Sequence, residues 1–302
     1  MSVSSNSLFT GSRSPFDPAA EAAYGEWREA RLARQPRSLD ELYVEIEEPA
    51  RLTEAERAAL RRALARSNFV LYRWRGAPAD DRVRLRQLGR QLGLERLDSN
   101  LCADGDGITS LRVAQEPRQG EYIPYTSRPL NWHTDGYYNS PAQQIRGVIL
   151  HCVRPAASGG ENRLMDHEIA YILLRDENPD HVRALMEPDA MTIPPNVVDG
   201  VEIRPQQSGP VFSVDAAGRL HMRYSARARN IVWKDDAPTR AAARCLLNLF
   251  QPDSPYIFRH RLEAGEGIIS NNVLHCREAF EDPEGAQGRL LYRARYFDRS
   301  GD

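Results

Sequence analysis

A histidine and an aspartate, two residue types that bind metals, stand two positions apart near the middle of the chain, in the segment Asn131–Asp135. On an extended strand, or at its end, side chains two positions apart point to the same side, so His133 and Asp135 present an imidazole and a carboxylate together. His275, far downstream, completes a third corner if the fold brings it back. Two histidines and one carboxylate leave three positions of an octahedral metal open, as in non-haem Fe(II) oxygenases. The pattern predicts a metal site formed by His133, Asp135 and His275.

A second chemical signature follows in the alternating segment 288–296, which is typical of a strand rich in aromatic and aliphatic residues. One face carries Arg289, Arg293 and Arg295. Guanidinium groups cannot pack on an apolar core without anionic partners. The residues alone leave two interpretations open. The face is solvated and paired with surface Asp and Glu, or it lines a cavity that receives carboxylates, which arginine binds bidentately.

The combination of these motifs resembles the TauD/TfdA (taurine dioxygenase-like) family of Fe(II)- and 2-oxoglutarate-dependent oxygenases. The resemblance is carried by Asn131–Asp135, by the histidine within Asn271–Phe280 and by the pair Arg289 and Arg293. In order and spacing it covers roughly residues 40–297.

The resemblance assigns a role to each of these positions. It implies that His133, Asp135 and His275 bind Fe(II) and that Arg289 holds the distal carboxylate of 2-oxoglutarate. Arg293 matches the position that binds the substrate anion in taurine dioxygenase. The implied reaction consumes O2 and 2-oxoglutarate, releases succinate and CO2, and hydroxylates or otherwise oxidises an unactivated C–H bond of a small substrate.

Two positions depart from the family pattern. Asn162 stands where the family often has a threonine that helps to hold the co-substrate carboxylate, and its amide can still donate a hydrogen bond. Pro129 replaces a polar residue of the taurine pocket, which argues against taurine as the substrate. The predicted substrate is therefore a small anionic or amino-acid-like molecule.

Aromatic side chains flank the predicted metal strand. Tyr125, Tyr137 and Tyr138 could shape the substrate pocket, although aromatic residues beside a strand more often serve packing. Arg223 could be a second anion contact, but a surface ion pair is the expected role.

Composition narrows the class of protein. The chain has 302 residues, with 41% hydrophobic and 27% charged residues, which is ordinary for a globular protein. A net charge of −2 gives no electrostatic case for nucleic acid or an anionic membrane. We find no apolar run long enough to span a bilayer and no signal peptide, so we expect a cytoplasmic protein. A homo-oligomer is left open.

Many short strands with Gly and Pro turns, and helices near the N-terminus and in one insertion, predict a mainly β protein built as a double-stranded β-helix (jelly-roll) barrel. We expect a flexible N-terminus over 1–14 and a single catalytic domain over 15–302, with a helical and loop insertion at about 166–210. A hairpin ending in the strand Ile268–His275 is predicted to deliver the third ligand.

Two other functions use the same residues. The His/Asp/His set could hold zinc with a catalytic water and act as a hydrolase, although no His-Glu-x-x-His helix is present and Arg289 would have no task. Alternatively, the chain could be a non-catalytic sensor that binds 2-oxoglutarate, which would suit the altered residue at Asn162.

Overall fold

The computed structural model describes residues 14–99, 104–113, 122–282 and 287–301. The predicted flexible N-terminus lies outside these residues except for Ser14. Within them, the helices are α1 (Glu21–Ala33), α2 (Glu54–Ser67), α3 (Arg82–Arg90), α4 (His167–Glu177), α5 (Pro179–Leu185) and α6 (Ala237–Asn248). The strands are β1 (Tyr43–Ile46), β2 (Phe69–Trp74), β3 (Thr109–Leu111), β4 (Leu130–His133), β5 (Gly147–Arg154), β6 (Ser158–Gly159), β7 (Asn162–Met165), β8 (Met191–Ile193), β9 (Asn196–Val198), β10 (Val201–Arg204), β11 (Gln207–Gly209), β12 (Phe212–Val214), β13 (Leu220–Met222), β14 (Val232–Trp233), β15 (Phe258–His260), β16 (Glu266–Ser270), β17 (Leu274–Arg277), β18 (Phe280–Glu281) and β19 (Leu290–Tyr296).

Two sheets organise these strands. The large sheet has the order β1-β2-β16-β5-β19-β3, and the small sheet has the order β15-β7-β17-β4. Side chains from both sheets line one cavity, so the sheets face each other. Among the strands of these two sheets from β3 to β19, the chain alternates between large and small sheet, except that β7 and β15 are neighbours in the small one. The strands β6 and β18 pair with each other, and β8–β14 form three further small sheets. This alternation is the predicted double-stranded β-helix.

The N-terminal helices complete the core of the large sheet. Thr53 and Glu56 form the capping box that begins α2, with the Thr53 Oγ1 accepting from the Glu56 N–H at 3.2 Å. Leu60 of α2 and Leu85 of α3 are buried in the same cluster as Phe69 of β2. The continuous apolar strand β2 is therefore buried in a core that the large sheet shares with these helices.

A long insertion lies between the paired strands β7 and β15. It spans residues 166–257, whereas the sequence predicted 166–210, and it contains α4, α5, α6 and the strands β8–β14. It has its own apolar cluster, which includes Ile169, Phe212 and Leu246, and α1 packs on it through Tyr24. The end of the insertion is set by the pairing of β15 with β7, which no local sequence signal marks.

The strand predicted over Ile268–His275 is two elements. β16 ends at Ser270 in the large sheet, and β17 begins at Leu274 in the small sheet. Between them Asn272 has a φ of 56°, a left-handed conformation that asparagine tolerates better than most residues. The expected hairpin is therefore a crossing between the sheets, and this crossing brings His275 to the small sheet.

No helix among the described residues is long and apolar enough to cross a lipid bilayer.

Candidate metal and co-substrate site

The three predicted metal ligands meet on two neighbouring strands. His133 ends β4, Asp135 follows it, and His275 on β17 lies directly opposite His133 in antiparallel register. One potential ligand atom from each of the three residues lies within 4.8 Å of the other two. The Nε2 of His275 is 4.0 Å from the Oδ2 of Asp135. This spacing suits a single metal ion between the three side chains.

Backbone carbonyls fix the orientation of both imidazoles. The Nδ1 of His133 lies 2.8 Å from the carbonyl oxygen of Asn131, and the Nδ1 of His275 lies 2.9 Å from that of Val273. A carbonyl only accepts, so each Nδ1 carries the proton and each Nε2 presents a lone pair. Burial, and then the nearby His275, lower the pKa of His133 to about 3, which keeps its ring neutral at pH 7. Such outer hydrogen bonds are typical of metal-binding histidines.

Asp135 has one oxygen paired and one oxygen free. Its Oδ1 accepts a hydrogen bond from the Nη1 of Arg293 at 2.9 Å, whereas its Oδ2 is buried with no hydrogen-bond partner among the described residues. Burial alone would raise the pKa of this carboxyl, but the charge of Arg293 holds the pKa below its usual value. A buried, ionised and unpaired oxygen fits a metal ligand.

The loop after β4 is held by residues that the sequence did not single out. The Asn272 side chain accepts from the Asp135 N–H at 2.7 Å and donates to the carbonyls of Asp135 and Ile145 at 2.9 and 2.6 Å. Gly136 has a φ of 65°, and a Cβ there would lie 2.4 Å from Ile145 Cγ1. The carboxylate is therefore positioned by a buried amide and by a turn that requires glycine.

Arg289 is a buried cation in the same cavity. Its side chain has no hydrogen-bond or ion-pair partner among the described residues, and only its backbone N–H is bound, to Asp282 Oδ1 at 2.7 Å. Burial lowers the pKa of this guanidinium to about 10, which leaves it charged at pH 7. Because an unpaired buried charge is costly, the site fits an anionic ligand.

Asn162 and Arg277 lie beside Arg289. Asn162 on β7 is buried, lines the cavity and has an Nδ2 with no partner in the described part of the chain. It pairs in register with Arg277 on β17, a cavity residue that our sequence reading missed. The sequence does contain an indication that Arg277 lines the cavity, because it stands two residues after His275 and therefore on the same face of a strand. We call Asn162, Arg277 and Arg289 the anion end of the cavity, and His133, Asp135, His275 and Arg293 the metal end.

The three predicted aromatic residues lie in different surroundings. The ring of Tyr137 lies 6.4 Å from that of His133, and Tyr138 is 5.3 Å from Tyr137. The hydroxyl of Tyr138 accepts from the Nη1 of Arg295 at 2.7 Å. Tyr125 is buried in the core of the large sheet. Tyr137 and Tyr138 are therefore the two tyrosines beside the metal end.

The prediction that Arg223 forms a surface ion pair is wrong. Arg223 is buried and donates to the carbonyl oxygens of four residues, at 2.8 to 3.2 Å. These residues are Tyr137, Met191, Gln207 and Gly209. All four partners are backbone carbonyls. Arg223 therefore ties strands of the insertion to the segment after the metal loop and offers no anion contact.

A family model matches most of the chain. The model for the taurine catabolism dioxygenase TauD, TfdA family aligns with residues 33–295.

Two similar proteins with assigned names are uridine-5'-phosphate dioxygenases. The protein from an Amycolatopsis species is 32% identical over 55% of this chain and 60% of its own length. The one from a Streptomyces species is 28% identical over 64% of this chain and 71% of its own length. The match therefore spans less than two thirds of the first of these relatives.

Solved structures share the fold at low sequence identity. Asparagine oxygenase with Fe(II), hydroxyasparagine and succinate has a TM-score of 0.58 at 18% identity, over 80% of this chain and 78% of that one. The non-haem iron oxygenase OrfP with Fe and alpha-ketoglutaric acid has a TM-score of 0.60 at 19% identity, over 84% and 82%. These likenesses confirm the predicted fold.

Proposed function

Because this chain belongs to the taurine catabolism dioxygenase TauD, TfdA family, we propose that it is an Fe(II)- and 2-oxoglutarate-dependent dioxygenase acting on a small molecule. One observation carries the proposal. A buried, unpaired carboxylate oxygen of Asp135 and a buried, unpaired guanidinium of Arg289 line the same cavity between the sheets. The first suits a metal ion and the second suits an anion, and a metal-bound keto-diacid satisfies both.

The residues at the metal end would hold Fe(II). His133 and His275 offer Nε2 lone pairs, because both Nδ1 protons are donated to carbonyls, and Asp135 offers Oδ2. This donor set is the two-histidine, one-carboxylate triad that leaves three positions open. Arg293 keeps Asp135 ionised and turned, so that one oxygen is reserved for the metal.

The residues at the anion end would hold 2-oxoglutarate. We assign its distal carboxylate to Arg289, and we assign Asn162 as a hydrogen-bond donor to the co-substrate through its unpaired Nδ2. Val148, Leu150 and Ile268 add apolar surface to the same cavity, which would limit the access of water to the bound co-substrate. Iron, when bound here, supplies the oxidation of a substrate C–H bond by O2, coupled to conversion of 2-oxoglutarate into succinate and CO2.

The proposed substrate is a small anion, and a phosphate monoester is the first class to test. The two named relatives act, by their names, on uridine 5'-phosphate. Arg293 retains a buried Nε with no partner in the described residues, although its Nη1 is engaged by Asp135. Arg204 of the insertion lies 5.8 Å over the ring of Tyr138 and has no acidic partner among the described residues. These cations suit a phosphate or a carboxylate, and amino acids are the second class to test.

Two rival functions make different predictions for the same experiment. Anaerobic addition of Fe(II) and then 2-oxoglutarate to the metal-free protein should give a weak visible charge-transfer band, which a zinc hydrolase would not give. Succinate release on admission of O2, in the presence of uridine 5'-phosphate, other nucleoside monophosphates or amino acids, separates the enzyme from a 2-oxoglutarate sensor. Absence of the band would overturn the proposed function.

Cytoplasmic location and any homo-oligomer remain predictions, as does the expectation that the protein binds no nucleic acid.

A further inference from the structure

Arg277 lies where the metal-binding strand meets the anion end. On β17 it stands two residues after His275, so both side chains point from the same face of the strand, and both line the cavity. It lies opposite Asn162 of β7 in register. A side chain so placed can contact whatever lies between the metal and Arg289.

Arg277 and Arg289 pack on the same aromatic ring. Their Cζ atoms lie 4.7 and 4.9 Å from the ring centroid of Phe280. Both arginines are buried, and neither side chain has a carboxylate partner among the described residues. Two like charges therefore line one cavity without a carboxylate of the protein to offset them, and an anion that contacted both would stabilise the pair.

The hydrogen bonds of Arg277 leave one nitrogen for a ligand. Its Nε donates to the carbonyl of Glu278 at 3.2 Å, and its Nη2 donates to the carbonyls of Thr126, at 2.9 Å, and Arg128. For Nη1 we find no acceptor within the described part of the chain. The carbonyl contacts fix the guanidinium, so that the remaining donor is held ready rather than free to rotate.

We propose that Arg277 is a second co-substrate-binding residue, whose Nη1 shares the distal carboxylate of 2-oxoglutarate with Arg289. A carboxylate has two oxygens and several lone pairs, and can accept from two guanidiniums together. The inference rests on the proposed function, because it gives the anion at Arg289 the identity of the co-substrate. Under this proposal, two arginines on facing sheets select a dicarboxylate. Arg277 lies on β17 of the small sheet, and Arg289 lies just before β19 of the large sheet.

The test compares two keto acids that differ only at the distal end. 2-Oxoglutarate and 2-oxopentanoate share the carboxylate and keto oxygen that bind a metal, but only the first has a distal carboxylate. Dissociation constants for both are measured anaerobically with the Fe(II)-loaded protein, from the visible charge-transfer band. In Arg277→Gln we expect affinity for 2-oxoglutarate to fall about tenfold or more, while affinity for 2-oxopentanoate stays within about twofold.

A purely supporting role for Arg277 gives a different result. If Arg277 only braced the segment at Thr126 and Arg128, both keto acids would lose affinity equally, and the proposal would be overturned. It would also be overturned if neither affinity changed and only the KM of the oxidised substrate rose, because the arginine would then serve the substrate.

Arg163 is the matched control. It lies in register with Cys276, the residue before Arg277, and its side chain pairs with Glu161 and Glu278 outside the cavity. Arg163→Gln should leave both affinities unchanged. Arg277→Lys, which keeps the charge, serves if the glutamine variant does not fold, and should lose part of the selectivity. If the wild-type protein bound neither keto acid, the proposed function itself would fail, an outcome separate from equal losses in the variant.

Discussion

The two ends of the cavity use arginine in opposite ways, although they share one strand face. At the metal end, Arg293 is buried against Asp135, and Arg295 next along the same face pairs with Asp98 and donates to Tyr138. At the anion end, Arg289 precedes the same strand and has no acidic partner among the described residues. The arginines at the metal end are thus paired with carboxylates of the protein, whereas Arg289 at the anion end is left to pair with a ligand.

This difference distinguishes an arginine that stabilises the fold from an arginine that binds a ligand, which the residue type alone does not do. A paired buried arginine is strongly coupled to its partner, so its loss leaves a carboxylate uncompensated. An unpaired buried arginine costs folding free energy that the ligand later offsets, so its loss harms binding and not folding.

The largest effect on activity should come from Asp135, the carboxylate that is both a proposed metal ligand and the partner of Arg293. Asp135→Ala removes a metal ligand and the partner of Arg293, and we expect succinate formation to fall by at least about a thousandfold. Fe(II) binding, measured by anaerobic titration, should fall with it. Retention of tight Fe(II) binding would show that the metal lies elsewhere.

At the anion end, Arg289→Gln should weaken 2-oxoglutarate binding by about a hundredfold, because a bidentate charged contact is lost. Fe(II) binding in the absence of 2-oxoglutarate should be unchanged. The measurement is the same anaerobic titration, and Arg163→Gln is again the control. If Fe(II) binding weakened instead, the division of the cavity into two ends would be wrong.

The free energy of unfolding should respond differently when the arginine at each end of the cavity is replaced by methionine. Arg293→Met removes the hydrogen-bonded partner of the buried Asp135 and leaves it only the more distant Arg295, whose Nη1 is 3.9 Å from Oδ1, so the metal-free protein should be destabilised by about 3 kcal/mol. Arg289→Met removes an unpaired buried charge, and should be neutral or stabilising in the same state. Urea unfolding of the metal-free proteins measures both. Similar losses for the two variants would mean that Arg289 has a protein partner.

Much of the division of the cavity into a metal end and an anion end could be predicted from the alternation of side chains along strands. His133 and Asp135 were predicted to share one face, as were Arg289 and Arg293, because a strand repeats every two residues. His275 was added by its residue type and by the family resemblance, since no local pattern links it to the other two. Membership of the TauD, TfdA family was predicted from the same residues and is confirmed.

What alternation could not supply was the partner of each side chain. Arg293 was predicted to bind a substrate anion, which stays a prediction, and the sequence did not indicate that Asp135 of the protein would also pair with it. Arg223 was predicted to form a surface ion pair, because no sequence pattern indicates its four backbone carbonyl partners, three in the insertion and one at Tyr137. Asn272 is similar, since its bonds to the metal loop exist only after the chain has crossed between the sheets. Long-range pairing decides such roles.

The smallest effect should come from the one neutral donor at the anion end. Asn162→Ala removes a single amide donor, so affinity for 2-oxoglutarate should fall only about fivefold, the scale of one neutral hydrogen bond. Asn162→Thr, which restores a donor of the kind the family often uses, should recover most of this loss. Titration of both variants beside Arg289→Gln ranks neutral against charged recognition within one pocket. Equal losses for Asn162→Ala and Arg289→Gln would contradict the ranking, because a charged contact to a carboxylate is the stronger of the two.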